Sequence, residues 1–171
     1  PIVTGKVPTC IRCNSCGIME GLAGAGAYSD GKYVISTEYG GWLTDFMEKP
    51  EVMKYIEQAD AILVENGATT ERFNPSNELK TLCLQHDLHM QQAQLKHLGT
   101  DANFSTMKNM VDALRGKVDI RNRCSETDVD GEQKIVTYVH YKVVVKLEAV
   151  VVVFAVGRAG SSFVSTWCLH H

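Results

Sequence analysis

Apolar residues recur every three or four positions through the middle of the chain and every two in its last third, with the change near Lys117. The strongest helical pattern covers residues 74–98. Leu79, Leu82, Cys83, His86, Met90, Ala93 and His97 fall on one side of it. Asn74 or Ser76 can cap its start, Pro75 suits the first turn, and Gly99 offers a left-handed stop. A second helix is predicted over 105–115, burying Met107, Met110, Val111 and Leu114 and ending at Gly116. The short link at 100–103 makes the two helices antiparallel neighbours. Upstream, residues 42–60 read as helix divided by Pro50, with Val52, Tyr55 and Ile56 as the buried stripe. Periodicity leaves 61–64 open between an interior strand and the tail of that helix.

Period two governs the chain from Lys117, and one β-prone run lies upstream of the helices. Residues 32–39 are β-prone after the Asp30-Gly31 turn, and 118–123 alternate between apolar and polar. A long strand follows, with Ile135, Thr137, Val139, Tyr141, Val143, Val145 and Leu147 on one face and Tyr138, His140, Lys142 and Lys146 on the other. Residues 150–156 are almost all β-branched and read as a central strand. Residues 161–167 close a meander of about four antiparallel strands. The expected fold is α+β, one domain over 1–171. It comprises a Cys/Gly-rich region (1–41), a helical segment (42–116) and a β-meander (117–171), with the central amphipathic helices covering the antiparallel sheet.

Composition narrows the class. The chain has 171 residues, 44% hydrophobic and 22% charged, enough apolar content for a core. A net charge of −3 supplies no global positive field, so nucleic acid is not indicated. The apolar run at 143–156 is broken by Lys146 and Glu148 and is too short to span a bilayer, so no membrane partner is expected. Six cysteines without a secretory leader favour the cytoplasm or another reducing compartment, where clustered thiols bind metal or stay free.

The densest chemistry is Cys10-Ile11-Arg12-Cys13-Asn14-Ser15-Cys16-Gly17. Thiolates spaced C-x2-C-x2-C can converge on one ion from a tight turn. Zinc wants four ligands, and Cys83 with His86, three apart on a helix, can complete the set; His86 with His89 is an alternative pair. The same run resembles the opening of a bacterial-type ferredoxin motif, which implies an iron–sulfur cluster; Glu20 stands where that motif carries its fourth cysteine. Free thiols in a loop are the remaining reading. Cys83 beside His86 also permits a nucleophile and base. Pro1 reads either as a processed terminus or, as in the tautomerase superfamily that Pro1-Ile2-Val3 resembles, as a catalytic amine.

Gly21, Gly24 and Gly26 do not follow the order of a dinucleotide loop, and Asp128-x-Asp130-Gly131 has too few ligands for a calcium loop. Arg115, Lys117, Arg121 and Arg123 form a basic stretch around Asp119. With no complete catalytic motif, the expected function is a non-enzymatic binding or assembly protein. Its partner is another protein or a second copy, and a structural zinc at Cys10, Cys13, Cys16, Cys83 and His86 clamps the N-terminal loop. The alternatives are a small enzyme using a cysteine thiolate, a metal-bound water or the Pro1 amine, and an iron–sulfur protein.

Overall fold

The computed structural model describes residues 19–91, 93–157 and 160–170, apart from the Glu126 side chain. Among them are four α-helices and two antiparallel sheets, an α+β composition. The chain divides between Lys117 and Val118 into two compact units.

The first unit is built around a two-stranded ladder. Strand β1 (Lys32–Ile35) pairs with β2 (Gln94–His97), with Tyr33 opposite Lys96 and Val34 opposite Leu95. Phe73 exchanges backbone hydrogen bonds with Leu95 on the far edge of β2. Helix α1 (Lys49–Glu65) packs on β1, and Pro50 sits in its first turn, where its missing N–H costs nothing. The run at 61–64 is the tail of this helix. Helix α3 (Thr100–Leu114) packs on a short 3-10 turn, Ala25–Tyr28. Ile35, Val52, Ala27 and Ala68 are buried among these elements.

The helix expected over 74–98 is shorter. Helix α2 spans Asn77–Gln85, capped by the Ser76 hydroxyl, which accepts from Leu79 N–H at 3.0 Å. It ends in a Schellman arrangement. Asp87 takes the left-handed φ of 55°, the Leu88 N–H returns to Cys83 O at 2.8 Å, and the Asp87 N–H to Leu84 O at 3.3 Å. An aspartate in place of the usual glycine hid this stop. Pairing with β1 then draws Gln94–His97 into a strand. Gly99, with φ of 80°, is thus the cap before α3 rather than the stop of a preceding helix, and α3 begins at Thr100, inside the expected link.

The second unit holds the sheet β3 (Cys124–Asp130), β4 (Ile135–His140) and β5 (Val143–Glu148), in that order. Four predictions change here. The long strand expected from Ile135 to Leu147 is a hairpin, because Tyr141 and Lys142 take positive φ and turn the chain back so that β5 pairs with β4. Residues 118–123 form no strand; Arg121 pairs with Asp119 at 2.6 Å and donates to the Tyr138 hydroxyl. Residues 150–156 lie outside the sheet. Residues 161–167 belong to a helix, α4 (Ser161–His170), because Phe163 and Trp167, four apart, both meet Phe154. Trp167 Nε1 also donates to Val129 O at 2.6 Å, tying α4 to β3.

Candidate interaction surface

The second unit buries little and exposes much. Val129 and Tyr138 are its buried hydrophobic residues among those described. Val150, Val151 and Val153 are 85%, 71% and 80% exposed. Along 151–154 exposure alternates: Val152 and Phe154 are half-buried, Val151 and Val153 exposed. That is the period of a strand with one face covered. Val152, Val153 and Phe154 line an open apolar concavity of about 540 Å³ with Val129, Val136 and Phe163. Among the described residues, however, no hydrogen bond joins the 150–156 backbone to another strand. A β-branched segment with solvent-facing valines and no ladder partner presents the edge that proteins ordinarily cover.

Edge strand β5 continues this surface. It is hydrogen-bonded to β4, and Val143, Val144 and Leu147 are all exposed. Val143 and Leu147 lie on one face of β5, and Val144 lies on the other with Lys146 and Glu148.

The site residues chosen from the sequence divide differently. Cys10, Cys13, Cys16 and Pro1 lie outside the described residues. Cys83 is half-buried in the last turn of α2, and its thiol is free. His86 is the exposed C-cap of the same helix, and its N–H donates to Cys83 O at 3.0 Å. Because α2 ends at Gln85, His86 and His89 do not share a helical face. No side-chain hydrogen bond joins Cys83 to His86 among the described residues, and no three His, Cys, Asp or Glu side chains there converge on a metal position. Of the basic stretch, Arg115 pairs with Asp112 at 2.9 Å in the first unit and Arg121 with Asp119 in the second.

A second concavity, of 370 Å³, lies in the first unit between β1, α1 and the loop carrying Tyr39 and Leu43. None of the described residues lining it is His, Cys, Asp or Glu. Beside it Trp42 and Phe46 are both exposed.

Sequence reasoning missed the buried ionic cluster of the first unit. Lys96 is fully buried, and its Nζ lies 2.5 Å from Asp60 Oδ1. Arg72 donates to the other Asp60 oxygen at 2.7 Å, to Gln94 Oε1 at 3.2 Å and to Glu57. Burial acts to raise the Asp60 carboxyl, but hydrogen bonds and charges from Lys96 and Arg72 together outweigh it and hold it below its ordinary value. The cluster pairs its charges within itself and lines neither cavity, and its ion pairs join α1, β2 and the Arg72 loop.

Comparison with protein-family models, with curated proteins and with solved structures yields no match to this chain.

Proposed function

We propose that this chain is a non-enzymatic binding and assembly protein whose second unit associates with further copies of itself. The observation that carries this reading is the exposure of Val150, Val151 and Val153 in a β-prone segment that joins no sheet among the described residues. Burying these side chains supplies the drive, about 25 cal/mol per Å² of apolar surface. The free edge of β5 supplies backbone donors and acceptors for strand addition.

Light scattering over a concentration series tests the reading. The wild-type chain is expected to exceed its monomer mass of 18.9 kDa, and Val151→Lys/Val153→Lys to lower the associated fraction at least tenfold without altering the circular dichroism. A wild-type monomer at every concentration contradicts it.

In the same proposal a structural zinc clamps the N-terminal loop, held by Cys10, Cys13 and Cys16 with Cys83 or His86. The C-x2-C-x2-C spacing supports it, as does the placement of Cys83 and His86 together at the end of α2. Metal analysis of unchelated protein is expected to find one zinc per chain, lost in Cys13→Ser/Cys16→Ser. Protein free of both zinc and iron overturns the clamp and leaves the association surface untouched.

A further inference from the structure

The outer edge of β5 has the backbone groups and the charge pattern to pair with itself. Tyr141 and Lys142, with φ of 48° and 67°, form a two-residue turn that makes His140 and Val143 the hydrogen-bonded pair closing the hairpin. Alternation then directs the N–H and C=O of Val143, Val145 and Leu147 toward β4. The phase continues at Ala149, whose N–H donates to Lys134 O at 3.0 Å. The backbone groups of Val144, Lys146 and Glu148 therefore face the free edge.

A symmetric antiparallel partner can use only those outward groups, so the two-fold axis must pass through a residue rather than between two. An axis at Val144 sets Lys142 against Lys146. An axis at Lys146 or Glu148 sets a charge against its own copy, and opposed like charges are destabilising. An axis at Val145 leaves Lys146 facing Val144 and reaches Glu148 only from Lys142 in the turn. An axis at Leu147 puts Lys146 opposite Glu148 on both sides. On the other face it puts Leu147 against Leu147 and Val145 against Ala149.

Resting on the assembly reading above, we propose that two copies of this chain join β5 to β5, antiparallel about a two-fold axis at Leu147, making one sheet continuous through both copies. Lys146 of each copy exchanges both backbone bonds with Glu148 of the other, and their side chains share a face as an ion pair. The register also brings Val144 opposite Val150, covering part of the most exposed valine of the unit.

Sedimentation equilibrium on the full chain tests this with Lys146→Glu, Glu148→Lys and an equimolar mixture of the two. Each single variant opposes like charges at both pairs, and its dimer dissociation constant is expected to rise roughly tenfold or more. The mixture restores Lys–Glu opposition at both positions, so the variants are expected to dimerise with one another to within about threefold of wild type. Both residues are exposed, and an unchanged far-ultraviolet circular dichroism spectrum shows that each variant folds. Single variants that dimerise as wild type, or a mixture as weak as either variant alone, overturn the β5 register while the assembly reading stands. A wild-type chain that is monomeric throughout overturns both.

Discussion

Lys96 has no solvent exposure, and its ammonium meets Asp60 as its one partner among the described residues, while Arg72 holds the second Asp60 oxygen. Removing one member of such a cluster strands the other charge in a dry site. Lys96→Met is expected to destabilise the first unit by about 3–5 kcal/mol, and Asp60→Leu/Lys96→Met to recover part of that loss, measured by urea denaturation. By contrast, Lys49→Ala breaks a surface pair with Glu38 and is expected to cost about 0–1 kcal/mol. The pH dependence has a definite sign. A carboxyl held below its ordinary value stabilises the fold above about pH 4, and that contribution is lost as pH falls through the lower folded-state value. Thermal stability of wild type is therefore expected to fall more steeply below about pH 4 than that of Asp60→Asn; equal slopes contradict the assignment. Asn103 is a second buried pin. It accepts from the Tyr33 hydroxyl at 2.5 Å and donates to Gly26 O at 2.6 Å, joining β1, α3 and the Ala25–Tyr28 turn. Gly31 sits against it with φ of 67°, and an added Cβ would lie 2.9 Å from Asn103 Cβ. Gly31→Ala is accordingly expected to be far more destabilising than Gly99→Ala, where φ is also positive but the space is open. None of these three polar residues carries a sequence signal. A lysine, an aspartate and an asparagine are read as surface until the fold brings their partners together.

At the level of elements, legibility followed how local the determining contacts are. Helix α1 with its early proline, the Ser76 cap and most of α3 follow from neighbours within a few residues, and the sequence pattern places them. Strand β2 does not, because Gln94–His97 owes its conformation to β1, some sixty residues upstream. The meander pattern places a closing strand at 161–167, where Phe163 and Trp167 carry helical spacing. Their contacts with Phe154 and the Trp167 bond to Val129 select the helix. Trp167→Phe keeps the ring contacts and removes the donor from a half-buried bond. It is expected to cost about 1 kcal/mol and to speed amide exchange in α4, whereas Ser76→Ala costs a similar amount in α2 alone.

For the whole molecule, the α+β class was legible in the change of hydrophobic period, and the change near Lys117 coincides with the division between the two units. The candidate surface was legible in composition but not in state. A run of valines and one phenylalanine announces a strand, and among the described residues the sheet stops at β5 without it. In the proposed account the missing ladder is intermolecular, which no intrachain pattern can display. The Cys10, Cys13 and Cys16 cluster remains the most specific chemistry in the sequence, and it lies outside the described residues. The most direct measurement is hydrogen exchange, read by mass spectrometry, of peptides covering 143–156 at dilute and concentrated protein. Association through this surface predicts protection of Val144, Lys146, Glu148 and the 150–153 amides that grows with concentration, while α1 and α3 stay constant. Exchange across 143–156 that is fast and identical at both concentrations would contradict it.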